Sequence, residues 1–433
     1  MIKRILIAVT LLAGLLQPGR GQQLLTVQDA IGLAMKNNYD ILISRTGADI
    51  DKANNTPGNA GMLPSIGVNA ADAFTYSHLH QEMPDGSTLT KGNASTNTLT
   101  ADVGLDWTLF DGGKMFITKK KLEEIQSLGE IQFKDQVMQT LYNVILSYYD
   151  VVRQKQQLAS INEVIKYNEE RVIILQASFN AGLVAKTDLL QAQVDLNVYR
   201  ENAIVQETVI IATKRTLNQL LSRDPDSPFE VIDSIDLNYI PNREELNHKL
   251  YSNNTQVLSQ QKQVDIARLT VKEFVAQQLP NLSFSANYSY LLGHSNYGSV
   301  LNNQLLGPQV GGALTIPIFY QGSLRRQIKT SRLGLQSAGY GLENIKLQVN
   351  MQLQNALTDY TNEMDLVKLE TGNLALAREN LDISMDRLQL GQTTSLEVRQ
   401  AEDSYAQSLL RLILFKYSAK VSETRLKQLI SSL

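Results

Sequence analysis

Two periods alternate along this chain. From Thr26 to about Ala53 apolar residues recur at helical spacing (Ala30, Leu33, Ala34, Ile41, Ile50), and Asn54-Asn55-Thr56-Pro57-Gly58 ends the run. After Leu63-Pro64 the period becomes that of a strand, with Ile66, Val68, Ala70, Phe74 and Tyr76 in one row that Asp72 interrupts. A turn-rich stretch, roughly His80 to Asn97, reads as a loop carrying Pro84-Asp85-Gly86 and Lys91-Gly92-Asn93. The cleanest strand follows. Leu99, Ala101, Val103, Leu105, Trp107 and Leu109 fall on one face, and Thr100, Asp102, Gly104, Asp106 and Thr108 fall on the other.

Helical spacing then returns and persists. No proline occurs from about Lys114 to Ala181, and Leu141, Val144, Ile145, Tyr148, Tyr149 and Val152 mark an apolar stripe. At the usual rise, such a helix runs on the order of 100 Å. A glycine turn and a second helix, Thr187 to Leu221, complete the series. Stripes of this kind, broadened in places to three positions per two turns, suit coiled-coil helices with neighbours on both sides.

The series then recurs. Shifting by 209 residues lays Phe110 on Phe319, Gly182 on Gly391, Asp188 on Glu397, Ala192 on Ala401, Leu217 on Leu426 and Leu220 on Leu429. One structural unit is therefore used twice. The second copy has strands at Leu282, Phe284, Ala286, Tyr288, Tyr290 and at Val310, Gly312, Leu314, Ile316, Ile318, closed by Phe319-Tyr320-Gln321-Gly322. Its long helix runs from about Gly322 to Leu390 and its last helix from Ser395 to Leu429. The division expected is a signal peptide over 1–21, a first repeat over 22–222, a connection over 223–241 and a second repeat over 242–433. The connection, rich in proline and aspartate, reads as a surface segment without chemistry.

The N-terminus has the plan of an export signal: Lys3 and Arg4, an apolar run from Ile5 to Leu16, then small residues near Gly21. Beyond it no stretch approaches the ~20 apolar residues of a membrane helix. The strands offer another way into a bilayer. They have the length of tilted membrane strands, small and acidic residues on one face, and aromatic residues near their ends. A half-buried soluble sheet would alternate likewise; the export signal and the repeat favour the membrane. Four strands cannot close a barrel, since the smallest membrane barrels need about 8. Several copies of the chain must then share one, because an open edge in hydrocarbon leaves backbone groups unpaired.

Charge and composition narrow the function. A net charge of −3 favours no nucleic-acid partner, and the chain has no cysteine, which removes disulfides, thiolate metal sites and a cysteine nucleophile. No zinc-protease helix, P-loop or nucleophile elbow is present, so catalytic, cofactor and metal sites are not expected. His78 and His80 share one face of an extended segment near Glu82 and Asp85, and read as loop residues rather than a metal site.

In these features the chain resembles the TolC family of outer-membrane efflux proteins, over about Leu24 to Leu433. The most specific match is Phe179-Asn180-Ala181-Gly182-Leu183-Val184-Ala185-Lys186-Thr187-Asp188, at the family's first hairpin tip. Leu388-Gln389-Leu390-Gly391-Gln392-Thr393-Thr394-Ser395-Leu396-Glu397 stands at the second, and Leu63-Pro64-Ser65-Ile66 and Leu279-Pro280-Asn281-Leu282 match the approach to the strands. The resemblance implies an α+β membrane protein built as a homotrimer. Three chains would share a 12-stranded outer-membrane β-barrel and a long periplasmic α-barrel of coiled-coil helices. It also implies a passive duct for small molecules or polypeptides, partnered by a periplasmic adaptor and an inner-membrane transporter of RND, ABC or MFS type.

Site residues follow from the same likeness. Asp188 and Glu397 match acidic positions of the family's pore constriction, where ringed carboxylates favour cations. Each has a plainer role open to it: Asp188 at a helix start, and Glu397 in a capping box with Thr394. Leu388, Thr393 and Gln400 occupy positions where the best-known gate has tyrosine, arginine and aspartate, so its charged latch does not carry over. Gly182, Leu183, Val184 and Gly391 are the expected adaptor contacts, the glycines also permitting the turns. Val103, Leu105, Trp107, Leu314 and Ile316 are the expected lipid-facing strand residues. The competing class is a periplasmic coiled-coil adaptor or structural protein without a pore, which would not need four membrane-type strands.

Overall fold

The computed structural model describes residues 24–433; the expected signal peptide lies outside the described residues. The first copy of the repeat comprises helices α1 (Val27–Asn37) and α2 (Tyr39–Asn54), strands β1 (Ser65–Glu82) and β2 (Thr88–Asp111), and helices α3 (Lys114–Asn180) and α4 (Lys186–Leu220). The second comprises α5 (Arg243–Asn253), α6 (Thr255–Ala276), β3 (Asn281–Ser295), β4 (Asn302–Thr315), α7 (Ser323–Gln389) and α8 (Ser395–Leu429). The long helices are each 67 residues and the final helices each 35, both pairs displaced by 209 (323 − 114; 395 − 186). Backbone detail repeats at the same spacing: Ser222 and Ser431 both take positive φ (51° and 53°) just past the final helices.

The single helix expected over Thr26 to Ala53 is two helices. Asn38 adopts an extended conformation (φ −63°, ψ 126°) that ends α1. Its side-chain oxygen accepts the amide hydrogens of Asp40 and Ile41 at 3.0 and 3.2 Å, so the same residue opens α2. Its amide nitrogen donates to the Leu220 carbonyl at 2.8 Å, satisfying an orphan group at the end of α4. Asn254 repeats the device, accepting from Gln256 and Val257 and donating to the Leu429 carbonyl at 2.9 Å. Apolar periodicity runs through such a junction unchanged, which is why pattern alone did not reveal it.

Contacts divide the chain into two compact units, each assembled from separated segments. One gathers residues up to Thr46 with Gln132–Leu258 and Ile345–Leu433. It is helical, and one of its cores joins Leu25, Ala30, Ala34, Val144, Tyr148, Leu217, Leu221, Phe229, Val231 and Ile235. The last three belong to the connection between repeats, which is therefore packed into a core and not a bare surface link. Leu25 donates its amide hydrogen to the Glu230 carbonyl at 2.7 Å. The Glu230 carboxylate meets Lys155 and Lys214 at 2.9 and 2.8 Å, and these cations hold it below the usual range against the effect of burial. The apolar residues fall singly between prolines and aspartates, so composition hid them.

The other unit gathers Gly47–Ile131 and Ser259–Asn344 and contains an antiparallel sheet in the order β1-β2-β3-β4. Its register aligns the two sequence faces across all four strands. Ile66, Leu105, Ala286 and Val310 stand opposite one another, as do Val68, Val103, Tyr288 and Pro308, and Ala70, Ala101, Tyr290 and Leu306. The intervening rows are small or polar: Gly67, Gly104, Asn287, Gln309, then Asn69, Asp102, Ser289, Gly307. Directly opposed residues share a face, so one face is apolar and the other polar. Much of the apolar face is solvent-exposed in the single chain, with Val68 at 74% and Val310 at 67%, while Leu105 and Ala286 are half-buried.

Two strand boundaries differ from expectation. The stretch His80 to Asn97 is mostly strand; only 83–87 forms the turn, and Lys91-Gly92-Asn93 is taken up in a register shift opposite Ser77 to Leu79. Threonines at 88, 90, 96, 98 and 100 favour the extended form once a partner strand lies alongside. Conversely, β4 begins earlier, at Asn302, and stops at Thr315, so Ile316 and Ile318 lie past its end. Pro317 lacks the amide hydrogen needed to continue a ladder. At the β2–α3 junction Gly112 has φ +73°, and a Cβ there would stand 2.4 Å from the Ala276 carbonyl oxygen. No other residue fits that corner.

Candidate conduit site: hairpin tips and strand faces

Both tips, α3 to α4 and α7 to α8, close with the same backbone motif. Gly182 and Gly391 take φ +73° and +68°. The amide of Leu183 donates to the Ser178 carbonyl and that of Gly182 to the Phe179 carbonyl, both at 2.9 Å. Gln392 and Gly391 donate in the same way to Arg387 and Leu388, at 2.8 and 3.0 Å. This is the bond pair of a Schellman turn, and it requires positive φ at the glycine. The glycines thus make the turns.

Around them the expected residues separate into exposed and packed groups. Leu183 is 77% exposed, whereas Val184 is half-buried against the tip core. Leu390 and Leu396, not singled out from sequence, are 69% and 62% exposed on either side of Gly391. An apolar residue next to a solvent-exposed helix turn was the available signal. Leu388 is buried, packed in one core with Leu175, Leu189, Ala192, Leu381, Met385, Val398, Ala401 and Tyr405. All four helices contribute to that core, so each chain joins its two hairpins by apolar packing.

Asp188 is exposed in the first turn of α4, which has no side-chain cap from Ala185. Glu397 is exposed in the first turn of α8. The Thr394 hydroxyl accepts the Glu397 amide hydrogen at 3.3 Å, half of the expected capping box. The Glu397 carboxylate does not complete it; it accepts the Thr393 hydroxyl instead. Gln400 is exposed and Thr393 half-buried. Asp188 and Glu397 each precede a residue of the shared core, Leu189 and Val398.

Back from the tips lies a polar cluster that the sequence reading missed. Arg171 on α3 is 1% exposed and binds Asp195 on α4 at 2.9 Å and Glu402 on α8 at 3.0 Å. Asn168 accepts from Arg171 at 3.0 Å, and Arg399 reaches Asp195 at 3.4 Å. Burial pushes the Glu402 carboxyl up to about 7, against the pull of Arg171 and with a further push from Asp195 and Asp403. Three tyrosines lie nearby. Tyr405 donates to Glu163 at 2.6 Å, Tyr167 to Asp382 at 3.0 Å and Tyr199 to Asp403 at 3.2 Å. Burial, then the neighbouring carboxylates, raises each of these phenols, Tyr199 to about 12. The sequence signal was Arg171 at a position where helical spacing from Val164, Asn168 and Leu175 demands burial.

On the sheet, Val103 and Trp107 are exposed and Leu105 half-buried on the apolar face, and Leu314 is exposed opposite Leu282. Ile316 is exposed but outside the strand. The Trp107 indole donates to the Met62 carbonyl at 3.0 Å. Among the described residues no helix is long and apolar enough to cross a membrane.

Comparison with known proteins agrees with this arrangement. The protease-secretion protein PrtF of Dickeya chrysanthemi is 21% identical, the match covering 95% of this chain and 89% of PrtF. The outer membrane efflux protein BepC of Brucella suis is 22% identical, over 97% and 88%. Among solved structures, the outer membrane protein VceC of Vibrio cholerae superposes with a TM-score of 0.73 at 17% identity, covering 94% of this chain and 96% of VceC. The family model for outer membrane efflux proteins matches residues 30–223 and 246–432, one match to each repeat, and the chain belongs to that family.

Proposed function

We propose that this chain supplies one third of an outer-membrane exit duct, through which an inner-membrane transporter and a periplasmic adaptor pass small molecules or polypeptides. The observation that carries this reading is the sheet. It has an apolar face, a polar face and two outer strands, β1 and β4, each paired on one side only. In hydrocarbon each unpaired backbone group costs several kcal/mol, and joining the edges of three copies gives twelve strands with none exposed. The helices carry a matching seam. On α7, Leu369, Leu376 and Ile383 are exposed at seven-residue spacing, as expected of a stripe awaiting a neighbouring helix. An adaptor without a pore has no use for such a sheet.

In the assembled duct the apolar face meets lipid and the polar rows line the lumen. Asp188 and Glu397 come to the constriction in three copies, where Leu388 acts through packing. Leu183, Leu390 and Leu396 are the adaptor's apolar contacts. The test is the native mass and location of the mature protein from fractionated envelopes: a trimer in the outer membrane is expected. A soluble monomer or dimer in the periplasm would sink the reading. For the constriction, Asp188→Asn with Glu397→Gln should lower cation preference, read as a reversal potential nearer zero in a salt gradient. An unshifted potential would leave both residues with helix-start roles only.

A further inference from the structure

The two copies of the repeat differ in charge where the sheet passes into a long helix. On α3 the first copy has Phe116, Ile117, Lys120 and Glu123; at the offset of 209 the second has Arg325, Arg326, Lys329 and Arg332 on α7. No acidic residue occurs on α7 from Ser323 to Leu342. All four cations are exposed, and among the described residues none has an ion pair or a side-chain hydrogen bond. The matching stretch of α3 is neutralised within the chain: Lys119 meets Glu123 at 2.8 Å, and Lys121 meets Glu273. Just before α7 the chain also exposes Ile316 at 57%, Ile318 at 94% and Phe319 at 79%.

A cavity at the foot of the sheet shows which way these cations point. Ser323 and Gln327 line it together with Pro317 and with Thr108, Asn281 and Thr315 of the polar rows. Arg325 and Lys329 each come two residues later, a rotation of about 200° around the helix. They therefore face away from the polar side of the sheet, and Arg332 stands within about 60° of Lys329. Arg325 and Arg326 lie in the first turn of α7, which has no acidic residue. The helix dipole repels cations there. Four unpaired cations, two of them set against the dipole, fit an anion supplied from outside the chain.

We propose that the start of α7 is a docking surface for acidic phospholipids of the periplasmic leaflet. Arg325, Arg326, Lys329 and Arg332 hold headgroup phosphates, while Ile316, Ile318 and Phe319 enter the edge of the hydrocarbon. The proposal rests on the duct reading, which puts the apolar face of the sheet in lipid and α7 just beneath it. Continuity with that face selects lipid as the occupant, since apolar residues adjoining a basic cluster make an interfacial anchor. From Arg325 to Arg332 the helix rises about 10 Å. A headgroup layer is ~5–8 Å deep, within reach of side chains that extend back toward it. Only the second repeat carries the cluster, so a trimer would hold acidic lipid at three places around the duct.

The test is lipid selection by the purified protein in nanodiscs of equal phosphatidylglycerol and phosphatidylcholine, with retained lipid counted by native mass spectrometry. The wild type is expected to keep phosphatidylglycerol several-fold over phosphatidylcholine, an excess that shrinks in high salt. Arg325→Gln with Arg326→Gln, Lys329→Gln and Arg332→Gln should lose the preference and assemble as before. Lysine at the three arginine positions should keep it, as should Lys120→Gln on α3. The other possible occupant is an acidic surface of a neighbouring copy. A glutamine variant that still selects phosphatidylglycerol, but whose trimers separate at lower temperature, would assign the cations to that contact and overturn the proposal. Equal retention of the two lipids by the wild type would overturn it as well. In both cases the protein sits in a bilayer and the duct reading stands; a wild type that enters no bilayer would overturn both.

Discussion

Lysine at Leu105 should abolish assembly of this protein in the outer membrane. Leu105 stands between Ile66 and Ala286 at the middle of an apolar band that runs along β3 from Leu282 through Phe284, Ala286, Tyr288 and Tyr290 to Leu292. A cation at mid-bilayer on the lipid face costs about 2–4 kcal/mol. In the proposed trimer three copies would raise that to about 6–12 kcal/mol, comparable with the entire stability of many proteins. The depth dependence gives an internal control. Leu314 lies one residue from the end of β4, so Leu314→Lys should be milder, its ammonium reaching the interface. Asn287→Lys, on the polar row beside Gly104, should assemble normally. The readout is heat-resistant trimer in outer-membrane fractions. If Leu105→Lys assembles and Asn287→Lys does not, the assignment of the two faces is inverted.

The second large effect is in pH. The Glu402 carboxyl is raised from 4.5 to about 7, burial being the main cause. A raised acid binds its proton more tightly in the folded state, so the stabilisation is complete below the unfolded value and is lost as pH rises through the folded one. Stability should therefore fall between about pH 4.5 and 7 and level off above, by on the order of 3 kcal/mol for each chain. Glu402→Gln mimics the protonated form. It should match the wild type at pH 5 and exceed it at pH 8, measured as loss of helical signal on heating. Asp195, Asp403, Arg171 and Arg399 are common to both proteins, so the difference isolates Glu402. A variant less stable than the wild type at pH 8 would mean that the Arg171–Glu402 pair outweighs its desolvation, and the pH argument would fall.

These two cases differ in how they could be read. The lipid-face assignment of Leu105 needs only strict alternation along a strand. The Glu402 prediction needs the distances to Arg171 and Asp195, residues 231 and 207 positions away (402 − 171; 402 − 195). The same contrast holds at the tips. Gly182 and Gly391 were legible as turns because positive φ leaves a compositional mark. Whether Glu397 closes a capping box was not, because Thr393 and the helix start compete for one carboxylate within a few ångströms. The match of Leu388 to a gate position comes from family likeness, whereas its packing in the tip core is seen only in the structure.

By itself the sequence determined the doubled plan of this protein, with its offset of 209, the helical and strand periods, the two faces of every strand and the glycine turns. Those are local properties, fixed by the geometry of a few neighbouring residues and by repetition along the chain. Only the tertiary structure decided that Asn38 and Asn254 break a periodic run while capping distant helix ends, and that Phe229 and Val231 pack into a core. It alone placed Ile316 past the end of β4 and put Arg171 beneath two carboxylates. Each depends on a partner far off in sequence, and the free energy of a buried contact is set by what surrounds it in space.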